Sequence, residues 1–270
     1  MAAGESGGAE AGSIGETAGV HATTRPPVLR ADGLHKSFGS TRAVDGLSLE
    51  IQPGERVGIV GPNGAGKTTT LLMLLGAIEP DGGTIDLVGE RLPAGRSRAM
   101  EQVGFAAGYL PLPDRLTVME TLDVFGTLYG LEAPREAAGV VLEELGIAHL
   151  AGQTVESLSS GQATLVGFAK AVIHHPRLVV LDEPTASLDP DVAMRVRDRL
   201  EWMNAEHHAT LLLTSHDMRE VERLTTRVVF LRAGRIIADG PAADVVADAG
   251  YPDLEAMFLA EAARLRGEAV

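Results

Sequence analysis

Apolar positions in this 270-residue chain fall into short runs whose spacing switches between two and about three and a half residues, the periods of strand and helix. From Val28 the pattern is β: VLRADGL (Val28–Leu34) and LSLEI (Leu47–Ile51) alternate as half-buried antiparallel strands joined through Lys36–Asp45. RVGIV (Arg56–Val60), LVVL (Leu178–Leu181) and TLLLT (Thr210–Thr214) are near-continuous apolar runs, the pattern of parallel strands covered on both faces. TIDLVG (Thr84–Gly89) and Val103–Ala106 read as further strands, and Arg227–Leu231 with Arg235–Ala238 as a hairpin through Ala233-Gly234. Helical spacing covers Thr68–Leu75, Thr117–Leu128, Arg135–Leu145, Gln162–Ile173, Asp191–Glu206, Ala242–Ala247 and Leu254–Arg266. Ala107–Arg115, with two prolines, is an extended loop, and Leu116 to about Glu156 forms a small helical insert. The order of elements predicts an α/β fold.

Composition narrows the class. Met1–Pro27 is Gly, Ala, Ser, Thr and Glu with almost no large apolar residue, so it is expected to be a disordered tail. It has no apolar core after a basic start, so it does not read as a secretory signal. No window reaches the ~18 uninterrupted apolar residues of a membrane span. Net charge is −14 with basic residues scattered, which argues against nucleic acid as a partner. The absence of cysteine fits a cytoplasmic location and excludes disulfides and thiolate metal sites.

The chemistry concentrates after the first buried strand. Gly61-Pro62-Asn63-Gly64-Ala65-Gly66-Lys67-Thr68-Thr69 fits the phosphate-loop spacing of Gly, four residues, Gly-Lys-Thr, between a strand and a helix. Gly64 and Gly66 let the backbone curl so that successive N–H groups point inward as an anion nest. The following helix adds its free N–H groups and positive dipole end. Lys67 supplies a charge for the β- and γ-phosphates, and the Thr68 hydroxyl suits Mg²⁺. The loop is a nucleotide-phosphate site.

In open α/β sheets, ligands sit outside the carboxyl ends of the strands. One buried strand ends in this loop, one in Asp182-Glu183, and one in Ser215-His216. Asp182 is placed to hold Mg²⁺ with Thr68, Glu183 to orient or deprotonate an attacking water, and His216 to donate a hydrogen bond to the γ-phosphate. Together they predict Mg²⁺-dependent nucleoside triphosphate hydrolysis.

With those residues in view, the chain from about Val28 to Leu259 resembles an ABC-transporter ATP-binding subunit, most like the drug and polysaccharide exporter branch. GPNGAGKTT and LVVLDEP (Leu178–Pro184) are similar to the family's two phosphate motifs. LSSGQ (Leu158–Gln162) resembles its signature, Ser187–Asp189 its D-loop and His216 its switch histidine. The resemblance implies a P-loop NTPase core with a mainly parallel sheet, an N-terminal antiparallel β subdomain, and a helical insert carrying the signature. It implies an ATPase domain over 28–247 with a helical subdomain at about 116–175, and a C-terminal helical extension at 248–270. It also implies that Phe38 stacks on adenine, and that two subunits sandwich two ATPs head to tail. Ser159 and Gly161 of one would then contact the γ-phosphate held by Lys67 of the other, with Ser160, Gln162 and the D-loop Asp189 also in the nucleotide site. Two departures stand out: Ser160 occupies a position that is usually Gly, and Gly108 aligns where the family carries a glutamine contacting Mg²⁺ and the membrane partner. Gln102 sits on the other side of that strand.

The resemblance implies a subunit that binds ATP and Mg²⁺ and powers a separate membrane permease, held through it at the inner face of the cell membrane and paired with an identical or related ATPase subunit. Two alternatives stay open: a soluble ABC ATPase acting on ribosomes or DNA, and an ATP-dependent regulatory module with little turnover. A single motif set, no internal repeat and no heptad run argue against the first, and Gly108 motivates the second.

Overall fold

The computed structural model describes residues 26–107, 110–186 and 188–266. The tail expected over Met1–Pro27 lies outside them except for Pro26 and Pro27, and Gly108 and Ser187 lie outside them as well.

The ten strands of the described residues form two sheets. The first is antiparallel, in the order β2 (Thr41–Ile51), β1 (Leu29–Phe38), β4 (Gly82–Leu87), β5 (Glu90–Arg91). The second is ordered β10 (Arg235–Gly240), β9 (Arg227–Arg232), β3 (Arg56–Val60), β8 (Thr210–Thr214), β7 (Leu178–Asp182), β6 (Val103–Ala107). From β9 to β6 every pairing is parallel, and only the β9–β10 hairpin is antiparallel. All five positions of β7 and of β8 are buried. Their side chains divide by parity, as a strand covered on both faces requires. Leu178, Val180 and Leu212 join the core beneath the antiparallel sheet, while Val179, Leu181, Leu211 and Leu213 join the core on the helical side.

One expectation needs correcting. Lys36–Asp45 is not a connection: β1 and β2 run through it and turn at Gly39-Ser40. The register slips after Ala31, Leu34 and Lys36, and each slip breaks the period-two pattern that marks a strand in sequence. Phe38 therefore ends a strand. The sequence reading also passed over β5, the five-residue α2 (Arg96–Met100) and the seven-residue α7 (Met218–Leu224), which are too short to show a period.

Seven further helices complete the described residues. They are α1 (Lys67–Leu74), α3 (Val118–Leu128), α4 (Pro134–Glu144), α5 (Ser160–Val172), α6 (Pro190–His207), α8 (Ala242–Ala249) and α9 (Leu254–Arg266). The insert is built from α3, α4 and α5 with two short 3₁₀ turns between α4 and α5. Thr117 starts α3 with a capping box, its hydroxyl accepting from the Glu120 N–H while the Glu120 carboxylate takes the Thr117 N–H. Helix α8 continues past residue 247, and α9 buries Leu254 and Met257 in the helical-side core.

The C-terminal ends of α3 and α5 meet through a stacked pair. Tyr129 at the end of α3 lies 3.7 Å from His174, centroid to centroid, at an interplanar angle of 12°. Neither ring nitrogen of His174 completes a hydrogen bond, and both are buried. Burial holds this imidazole down at about 4 against an ordinary 6.5, only partly offset by the nearby Val103 backbone. Because the folded value is depressed, stability is full above pH 6.5 and falls as pH drops through the window from 6.5 to about 4. In urea unfolding, the wild type should lose about 2 to 3 kcal/mol more than His174→Phe between pH 7 and pH 4.5. Equal losses would show that His174 is not held neutral by the fold.

Candidate nucleotide site

The site lies where β3, β7 and β8 end. β3 passes into the phosphate loop, whose shape is set by close backbone approach. Gly61 has φ +146°, and a Cβ there would lie 2.2 Å from the Leu231 carbonyl oxygen. Gly66 has φ +100°, and its Cβ would lie 2.4 Å from the Ala43 carbonyl oxygen. Both are glycine because a side chain would meet backbone as well as strain the chain. The loop is stitched to its neighbours by Gly234 N–H donating to Ala65 O at 2.9 Å and Asp45 N–H donating to Gly234 O at 2.9 Å. The β9–β10 turn and β2 thus hold the loop from two sides.

Lys67, the first residue of α1, folds back over the loop and donates to Gly61 O at 2.6 Å and Pro62 O at 3.3 Å. Burial lowers its pKa, opposed by Glu183 and Asp182. Thr68 Oγ1 lies 3.4 Å from Asp182 Oδ2. Asp182, the last residue of β7, is 6% exposed, so its carboxylate needs partners. Its other oxygen accepts a hydrogen bond from Thr214 Oγ1 on the adjacent strand.

Thr214 serves both acidic residues, binding the carboxylate of Asp182 and the backbone of Glu183. Glu183 N–H reaches Thr214 O at 3.1 Å and Thr214 Oγ1 at 3.2 Å, extending the β7–β8 ladder one residue past the strand. Glu183 itself adopts φ +53°, the left-handed region that a non-glycine residue occupies at a cost of about 1–3 kcal/mol. That turn separates its side chain from the buried Asp182, and its Oε2 lies 3.1 Å from His216 Nδ1. Both side chains of this pair face solvent, 40% and 58% exposed, beside the loop lysine. Lys67, Thr68, Asp182, Glu183 and His216 are therefore one constellation.

The other residues stand apart. Ser159 caps α5: its Oγ accepts from Gln162 N–H at 3.3 Å while Gln162 Oε1 accepts from Ser159 N–H at 2.9 Å. The helix begins at Ser160, two residues before the expected start, so Ser160 and Gly161 lie in its first turn. No hydrogen bond among the described residues links Ser159–Gln162 to the strand-end cluster. Asp189 precedes α6 and makes no side-chain cap bond. Phe38 is 51% exposed at the tip of the antiparallel sheet, with Lys36 Nζ 5.7 Å from its ring centroid. Gln102 lies at the far end of β6, accepting from Arg177 at 3.2 Å. Sequence reasoning does not single out Thr214, one of two threonines that bound the apolar run of β8.

The chain is similar in sequence and in fold to known proteins. A family model described as ABC transporter matches residues 44–186. A protein of Paraburkholderia xenovorans named Nod factor export ATP-binding protein I is 40% identical over 243 residues, covering 89% of this chain and 79% of the relative. Its namesake in Burkholderia lata is 40% identical, with coverages of 90% and 81%. Among solved structures, an ATP binding subunit of an ABC transporter superposes with TM-score 0.80 at 27% identity, covering 87% of this chain and 99% of that one. CbiO1 from Clostridium perfringens, described as part of the ABC transporter complex cbiONQ, gives TM-score 0.72 at 26% identity, with coverages of 83% and 92%. A glycine loop held by backbone contacts, a buried aspartate beside its threonine and a glutamate–histidine pair thus sit in a sequence and a fold of one lineage: the chain belongs to the ABC transporter family, as one of its ATP-binding, ATPase subunits.

Proposed function

We propose that this chain hydrolyses ATP at the cluster of Lys67, Thr68, Asp182, Glu183 and His216, as one of two ATPase subunits driving export through a separate membrane permease. The observation that carries the reading is the chain of contacts from Thr68 through Asp182 and Thr214 to Glu183 and His216, which brings three strand ends to one point. None of the described helices is long and apolar enough to cross a membrane, and the reading assigns the membrane path to the permease. The export direction is supported by relatives named for Nod factor export.

The donor set suits Mg²⁺. A hydroxyl and a carboxylate are hard oxygen ligands, and among the described residues no group of three or more His, Asp or Glu forms a cage. Such a sparse set fits an ion that arrives with nucleotide phosphates and keeps much of its water. Thr68 and Asp182 would hold it, and it would neutralise charge on the phosphates. Lys67 exchanges the carbonyls of Gly61 and Pro62 for phosphate oxygens. Glu183 then accepts the proton of the attacking water, and the His216 imidazole, held beside Glu183, faces the γ-phosphate. Phe38, exposed at the tip of its sheet, offers a face for adenine.

The signature completes the site of a second subunit. Capping uses a lone pair of the Ser159 hydroxyl and leaves its proton free to donate outward. The first turn of α5 also presents N–H groups at the positive end of a 13-residue helix, a second anion site. Ser160 in place of glycine puts no bulk on that turn beyond a hydroxymethyl group.

Two substitutions test the assignment on the purified chain. Glu183→Gln should lower turnover by about 100-fold or more while ATP affinity stays within about threefold, because only proton acceptance is lost. Wild-type turnover in that variant would remove Glu183 from the chemistry. Gly66→Ala should weaken ATP binding on the order of 100-fold, since about 3 kcal/mol of strain and clash against Ala43 opens the loop. Unchanged affinity would place the nucleotide elsewhere.

A further inference from the structure

Glu220 lies on α7 behind the site and has no place in the chemistry described so far. It is 7% exposed, and both carboxylate oxygens are engaged. Thr185 Oγ1 donates to one, and Ser215 Oγ donates to the other at 2.9 Å. Thr185 follows Glu183 by two residues on the way out of β7. Ser215 immediately precedes His216 on the way out of β8. One buried carboxylate thus joins the two segments that carry the exposed Glu183–His216 pair.

The surroundings make this more than a cap. Asp217, not Glu220, caps α7, accepting from Arg219 N–H at 3.0 Å and Glu220 N–H at 3.4 Å. Ser215 Oγ is fixed in turn by Asp217 N–H at 3.1 Å. Among the described residues no Lys, Arg or His forms an ion pair with Glu220. A buried carboxylate without a cation is costly, and an apolar side chain would fill the same space without that cost. What an apolar side chain could not do is accept hydrogen bonds from both loops.

We propose that Glu220 is a positioning residue for ATP hydrolysis, clamping the β7 and β8 exits together so that Glu183 and His216 keep their 3.1 Å contact. The proposal rests on the roles given above to Glu183 and His216. Losing the clamp frees both loops to drift, and a displacement of about 1 Å at the reacting atoms lowers turnover on the order of 100-fold.

The test measures turnover, ATP affinity and thermal midpoint in the full chain for wild type, Glu183→Gln, Glu220→Ala and Glu220→Gln. Glu220→Ala should lose about 10- to 100-fold in kcat with ATP affinity changed less than about threefold. Glu220→Gln should recover to within about threefold of wild type, because its amide oxygen accepts from Thr185 and its amide N–H donates to the Ser215 hydroxyl. Combined with His216→Ala, the Glu220→Ala loss should shrink severalfold, as coupling through that histidine requires. Turnover by Glu220→Ala within about twofold of wild type, or losses that multiply in full in the double variant, would overturn the proposal. If Glu220→Ala fails to fold, Thr185→Val and Ser215→Ala each remove one tether and should each lower kcat about threefold or more with ATP affinity kept. Wild-type kcat in both would overturn it equally. Glu183→Gln separates the two readings. An active Glu183→Gln defeats the assignment of the site itself, whereas an inactive one beside a normal Glu220→Ala defeats only the clamp.

Discussion

The site depends on a charge kept at the end of a buried strand. Asp182 is almost sealed from solvent, and a carboxylate in such a place is tolerable only when its oxygens are held. Thr214 holds one of them, and through the same hydroxyl and its own carbonyl it also holds the backbone of Glu183. One threonine therefore fixes where the two acidic residues begin, and the left-handed turn at Glu183 separates their directions. Asp182 stays buried beside Thr68, while Glu183 reaches the open side beside Lys67.

That arrangement is inherited from the sheet. β3, β7 and β8 run parallel and end together, so residues that follow them meet without long loops. Rigid packing on both faces of β7 and β8 keeps the strand ends in place, and the apolar parity of those strands makes the packing two-sided. The antiparallel sheet contributes through Ala43 of β2, which together with the β9–β10 turn of the other sheet presses on the phosphate loop and leaves room only for glycine at Gly66. Fold and site are one set of constraints.

Much of this was legible in the sequence, and the exceptions have physical reasons. The loop glycines, Lys67, Asp182, Glu183 and His216 stand out because polar residues after apolar runs mark strand ends. The full length of the β1–β2 hairpin, with Phe38 at its end, is hidden in the sequence because three register slips erase the alternation on which strand recognition depends. The start of α5 was placed late although Ser159 and Gln162 have the spacing of a capping box. Thr214, Ser215, Thr185 and Glu220 were not legible. A hydroxyl at a strand end and a glutamate in a seven-residue helix look like ordinary surface caps until the fold brings them together. Asp217 followed three residues later by Glu220 did signal a helix start, though not what Glu220 would touch.

In the proposed function each chain is half of a hydrolytic unit, with the phosphate loop of one subunit and the α5 N-terminus of another around the same nucleotide. The most direct measurement mixes two inactive variants, Lys67→Ala with an intact signature and Gly161→Asp with an intact phosphate loop, and follows phosphate release. Random pairing of equal pools gives one complete site in half of the dimers, so the mixture should recover about one quarter of wild-type turnover. Recovery no greater than the sum of the two separate samples would contradict a shared site and leave each chain to act alone.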